Sequence, residues 1–205
     1  MAHTDLPTHL FKSLHLPNPE NYNVYLVGSR LWGTNTTTSD WDLLVVGNVP
    51  SKQLTSLHKA QYDITLLDRQ EFIARVKEGS IIEVICALMC KEDMLQYSYD
   101  IGNLVVDPNA IKTWLEARQI KDLEKAEKFW LKGNLQPAWK ILRHILHAAA
   151  LYNHLVIALQ KERVSLTIDN VQTIVRSATF LCDKAWMQLD WPNVHAAVID
   201  ALTLL

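Results

Sequence analysis

At 205 residues, 49% of them apolar, the chain can bury a sizeable core as one domain, or as one domain with a helical extension. A formal charge of −2 argues against a surface built as a whole to grip nucleic acid and leaves room only for a local basic patch. No apolar run reaches the length of a membrane span, no signal-peptide core opens the chain, and Cys86, Cys90 and Cys182 lack metal-like spacing. A reducing, cytoplasmic setting without membrane partners is therefore expected.

In chain order, Leu6 to Leu16 reads as a short packing helix with Leu10, Phe11 and Leu14 as its stripe, ended by Pro17 and Pro19. An apolar run from Val24 to Val27 follows as a strand and breaks at Gly28-Ser29. Gly33 closes one helical turn, Thr34 to Thr38 form a loop, and Trp41 to Val46 make a second strand with Asp40 and Asp42 at its mouth. After the turn at Gly47 to Pro50, Ser51 to Lys59 is expected as a short helix and Gln61 to Leu67 as a third strand, with Asp63 inside it. Asp68 with Glu71, and Ser80 with Glu83, have capping-box spacing and open helices over 69–78 and 81–90, with Gly79 between them. Residues 94–99 and 103–106 fit either two short strands or a strand and a loop.

Asp107-Pro108-Asn109 marks a boundary between a core over 1–107 and a helical subdomain over 108–205. Helices are expected over 111–118, 120–132 and 137–160, followed by one from Thr167 to Leu181 and a last one from Trp191. The longest carries Lys140, Arg143, His144 and His147 at helical spacing, so one basic face is expected opposite its apolar stripe. By itself that face reads as solvated. Trp114, Trp130 and Trp139 read as core, as do the buried thiols, and His58, His154 and His195 as plain surface or core histidines.

The chemistry concentrates between Gly28 and Asp63. Side chains two apart on a strand share a face, so Asp40 and Asp42 point the same way. Two carboxylates at the end of a buried strand repel each other unless cations lie between them. A glycine at a strand end lets a ligand approach the backbone. The N–H groups of the following turn, with the Ser29 hydroxyl, suit phosphate oxygens. Asp63 alone would read as a strand-edge acid facing solvent; beside the Asp40/Asp42 strand it completes a carboxylate triad. Arg30 fits either a phosphate or an acid on the rim.

Gly28-Ser29-Arg30-x-x-Gly33 followed by Ser39-Asp40-x-Asp42 resembles the signature of the polymerase-β-like nucleotidyltransferases, and most of all their stand-alone branch. The resemblance implies an α/β (α+β) core with a mixed sheet, followed by an α-helical C-terminal subdomain. It also implies transfer of a nucleoside monophosphate from an NTP, ATP first among them, to an acceptor hydroxyl with release of pyrophosphate. Asp40, Asp42 and Asp63 would be the catalytic metal ligands for two Mg²⁺ ions, with Mn²⁺ as substitute. Gly28, Ser29 and Arg30 would lie at the nucleotide. The branch carries a Lys-x-x-x-His-x-x-Arg string on a later helix. Lys140 and His144 match it as nucleotide contacts, while His147 stands in the Arg place and cannot form a bidentate fork to phosphate. The acceptor, whether an RNA end, a protein hydroxyl or a small molecule, is left open, as are the nucleobase and the oligomeric state. The contrasting reading is a catalytically silent nucleotide-binding or regulatory module of the same fold.

Overall fold

The computed structural model describes residues 19–48, 56–59, 61–102, 104–160, 164–182 and 184–205. The helix expected over 6–16 and the first part of the one expected over 51–59 lie outside them. The chain falls into two compact units. One holds the described residues of Met1–Lys77, Ile82–Val105 and Ser165–Ile168; the other holds those of Glu78–Ile81, Val106–Val164 and Asp169–Leu205.

The first unit is a four-stranded sheet with helices. Its elements are β1 (Asn23–Leu26), α1 (Gly28–Leu31), β2 (Trp41–Gly47), β3 (Ser56–Lys59), β4 (Tyr62–Asp68), α2 (Arg69–Lys77) and α3 (Ile81–Leu88). The strand order is β1-β2-β4-β3, with β2 and β4 parallel and the outer pairs antiparallel. β2 is central and buried on both faces, which is why Leu43 to Val46 are all apolar. On one face Tyr22, Val24, Leu43, Val45, Ile64 and Leu66 form a cluster. On the other, α2 packs against β2 and β4, and Phe72 stacks on Tyr25 with ring centroids 6.0 Å apart. Ser56–Lys59 pairs as a strand with β4 instead of continuing a helix: a four-residue tract has too little helical propensity of its own to resist a ladder with a neighbour.

The free edge of β1 is covered by the segment after α3. Val24 pairs with Gln96 as an isolated bridge, and the remainder of 94–101 is irregular, which resolves the expected strand-or-loop ambiguity there. The fully buried Asn23 receives N–H donations from Ser98 (2.8 Å) and Tyr99 (3.2 Å) at Oδ1 and donates through Nδ2 to the Tyr99 carbonyl (3.0 Å). A covered edge cannot template further strands.

The second unit is helical: α4 (Pro108–Leu131), α5 (Leu135–Leu159), α6 (Ile168–Thr179) and α7 (Trp191–Thr203). Asp107 caps α4, its carboxylate accepting from the Asn109 N–H at 2.9 Å, and Pro108 occupies the first turn. The two helices expected over 111–118 and 120–132 are one, because nothing at Arg118-Gln119 breaks the turn, and an Arg118–Asp122 ion pair at 2.9 Å spans the junction. Gly133, at φ 74°, ends it. Trp130, Ala138, Leu142, Ile145, Trp191 and Val194 form the core between α4, α5 and α7. No helix among the described residues is long and apolar enough to cross a membrane.

Candidate active site

β1 leads directly into the turn. The Val27 N–H donates to the Asp42 carbonyl at 2.9 Å, and the chain then reverses through Gly28 at φ 62°. A Cβ at Gly28 would overlap the Asp42 side chain, so the position demands glycine both for its backbone angle and for its closeness to that carboxylate. The Thr34 N–H returns to the Ser29 carbonyl at 2.9 Å and the Trp32 N–H to the Gly28 carbonyl at 3.1 Å, which fixes the turn. Ser29 remains partly exposed.

Parallel pairing of β2 with β4 sets Asp42 directly opposite Asp63. Paired residues of neighbouring strands point to the same face at about 4.8 Å between strands. Asp40 lies two residues before Asp42, and its charge reaches the same end of the sheet: it acts on His58, as does that of Asp63. Asp42 is partly buried, while Asp40 and Asp63 are exposed. Among the described residues no three carboxylate, imidazole or thiol groups stand close enough together to hold an ion.

Arg30 does local work. Its guanidinium donates to the carbonyls of Ser39 (2.7 Å) and Asp40 (3.3 Å) and lies over the Trp41 ring, 4.1 Å from its centroid. It thereby ties the loop that carries Asp40 to the first helical turn. Asp68 is occupied as well, capping α2 through the Gln70 N–H at 2.8 Å. Glu71 pairs with Arg75 instead of closing the capping box, because Arg75 sits one turn along the same helix face.

The residue that sequence reasoning passed over is His58. β3 sets it opposite Asp63, with Nδ1 2.9 Å from Oδ1 of that carboxylate. The Asp63 hydrogen bond and charge, with the Asp40 charge behind them, raise the imidazole's pKa above its ordinary value. A short tract with one histidine carries no strand signal, so only the pairing reveals it.

In the helical unit, α5 carries the basic residues, but not as one face. Lys140 and His144 are exposed, whereas His147 is 2% exposed and its Nε2 lies 3.0 Å from the Thr179 hydroxyl of α6. The stripe that is open at Lys140 is covered seven residues later by a neighbouring helix, which corrects the expected continuous basic face. The Thr179 hydroxyl donates to the Val175 carbonyl, so the imidazole is the donor to Thr179 and Nδ1 is left as an acceptor. Burial, then the Arg143 charge, lowers the His147 pKa to about 3. His144 keeps an open edge by surface area, yet its surroundings desolvate the ring; that desolvation, then the Lys140 and Arg143 charges, lowers its pKa to about 4. Arg143 lies over the Trp139 ring at 4.5 Å.

Residues 10–122, just over half of the chain, match the model of the nucleotidyltransferase domain. No curated protein matches the chain in sequence. Among solved structures, a nucleotidyltransferase-like protein from Exiguobacterium sibiricum 255-15 aligns over 96% of this chain and 72% of its own, at 14% identity and a TM-score of 0.34. With the Gly28 turn, the Asp40-x-Asp42 strand and the family match all spanning the same stretch, the chain belongs to the nucleotidyltransferase domain family and has the α+β fold of a polymerase-β-like nucleotidyltransferase.

Proposed function

We propose that the protein moves a nucleoside monophosphate from an NTP, ATP first among them, to an acceptor hydroxyl in the cytoplasm. The carrying observation is the pairing of Asp42 with Asp63 at the sheet end where the Gly28 backbone meets the Asp42 side chain. Carboxylate oxygens are the donors that Mg²⁺ and Mn²⁺ take, and the space kept free of a Cβ at Gly28 lies against one of them. Asp40 and Asp42 would hold two such ions, with Asp63 sharing the one nearer the acceptor. When bound, the ions would polarise the α-phosphate and lower the pKa of the attacking hydroxyl.

The chain's own residues do the rest. Ser29 and the N–H groups of the turn after Gly28 would receive the β- and γ-phosphates, fixing the α-phosphorus for in-line attack. Arg30 would hold Asp40 in place through the Ser39 and Asp40 carbonyls. The acceptor oxygen bonds to the α-phosphorus as the bond to the β-phosphate's bridging oxygen breaks. Pyrophosphate leaves, and the hydroxyl proton passes to water at the open side of the site. Lys140 and His144 are proposed nucleotide contacts on the strength of their exposure on α5 and the family's string.

Incubation with each α-labelled NTP and a cell extract tests the reading and identifies the acceptor. Label transferred by the wild type and not by Asp42→Asn supports it; no transfer with any NTP, together with no melting shift, sinks it. Saturating Mg-NTP at ~100 times its Kd should add about 2.7 kcal/mol of stability. A silent nucleotide-binding module of the same fold is the second reading. It would show the melting shift without transfer.

A further inference from the structure

We infer, beyond nucleotidyl transfer and independently of it, that the groove between α4 and α7 docks a partner protein. The partner presents an amphipathic helix with lysine or arginine beside its apolar residues. The groove holds a cavity of about 550 Å³. Ile120, Leu123, Glu124 and Glu127 of α4 line one side of it, and Trp191 and His195 of α7 the other. Trp191 is a fixed part of the wall, its ring centroid 6.1 Å from that of Trp130 and 5.9 Å from that of His195.

Charge selects the partner. Of the four acids on α4, Glu116 pairs with Lys112 and Asp122 with Arg118, each across one turn of the helix. The other two are Glu124 and Glu127. Among the described residues neither forms an ion pair, although Lys128 follows Glu124 by one turn. The acids left uncompensated on this helix are thus the two that line the cavity. A carboxylate beside apolar and aromatic walls is matched by a cation on an apolar stem, which is what a lysine or arginine side chain offers.

Length selects a helix over a small amine. Ile120 is 61% exposed at the cavity, and Leu131, eleven residues on along the same face of α4, is 71% exposed. At 1.5 Å per residue they stand about 16 Å apart, three turns of helix. Large apolar side chains held in water over that length mark a contact surface. An amphipathic helix covers such a stripe with anchors at helical spacing. A second copy of this chain on the same face would set Glu124 and Glu127 against themselves, so two-fold self-pairing is disfavoured.

The test uses the full chain and two labelled helix-forming peptides of the stripe's length. Both carry leucine at i, i+3, i+4 and i+7, one with lysine and the other with glutamate in between. Fluorescence anisotropy reads binding, and sedimentation velocity reads self-association. The lysine peptide is expected to bind with a micromolar Kd, and the glutamate peptide not to bind. Glu124→Gln with Glu127→Gln should weaken the lysine peptide by about 5- to 10-fold, a difference that closes at high salt. Ile120→Ala should weaken it about 10-fold. Ile157→Ala, at an exposed apolar residue of α5 outside the cavity lining, should change nothing. Equal binding of the two peptides overturns the inference, as does equal weakening by Ile157→Ala. A dimer that Ile120→Ala dissolves would make a second copy the occupant. Displacement of the peptide by micromolar butylamine would make the cavity a small-amine site. Either result overturns the assignment to a partner protein.

Discussion

The carboxylate end of the sheet and the basic stripe of α5 were each read from spacing, and they behave differently. On strands, alternation and register act together: once β2 and β4 pair in parallel, Asp42 and Asp63 share a face whatever else packs nearby. On the helix, spacing only aligns Lys140, His144 and His147 along one side. Whether that side is wet is decided by a neighbour, and at His147 the neighbour is Thr179. A periodic pattern thus fixes direction within an element, while burial belongs to the partner element.

The largest effects should fall at the sheet end. Asp42→Asn is expected to reduce label transfer to background while leaving Tm equal or higher, because a repelling charge has gone; a calorimetric scan beside the transfer assay checks both halves. Gly28→Ala should lose transfer and stability together, since the new Cβ overlaps the Asp42 side chain and φ 62° disfavours it. Equal activity in Gly28→Ala would show that the turn is not held against the carboxylate. Next in size, Phe72→Ala removes the ring stacked on Tyr25 and should cost about 3–5 kcal/mol in a denaturant titration.

The buried end of the helical stripe makes a pH prediction. Unfolded, His147 takes up a proton near 6.5; native, it does so only at about 3, burial and Arg143 being the causes. Its contribution is therefore complete above pH 6.5 and drains away as the pH falls, by about 3 kcal/mol at pH 4. His147→Leu should flatten the loss of stability between pH 7 and 4, measured by urea unfolding at each pH. An unchanged slope would mean that the imidazole is not buried neutral. The smallest effect is expected from Arg30→Lys, which keeps the charge and loses the two-carbonyl geometry and the flat stack on Trp41. Transfer should fall several-fold through kcat with less than about 1 kcal/mol lost in stability. A rise in KM for NTP with kcat unchanged would instead place the guanidinium on the phosphates.

What the sequence made legible is what lies close along the chain. The Gly28 turn, the Asp40-x-Asp42 strand and the Asp107-Pro108 cap depend on neighbours within a few residues, and each could be read from residue type and spacing. The Asp63 strand was legible from its own apolar run. β3 was not, because Ser-Leu-His-Lys has no alternation of its own and becomes a strand only by pairing with β4. His58 was missed for the same reason. The break placed between residues 118 and 120 failed because charged residues without glycine or proline do not end a helix. Residues 78–81 group by their contacts with the helical unit and residues 165–168 with the sheet unit, a pairing of distant tracts that no local pattern announces.

That last tract has a consequence for how the protein is made. Leu166 exchanges backbone bonds with Leu88 and Cys90 at 2.8 Å each, and the Ile168 N–H donates to the Asp93 carboxylate at 2.8 Å. During synthesis those groups of the sheet unit stay unmet until about sixty residues beyond Val105 have emerged, so a fragment stopped at residue 107 would be an unfinished module.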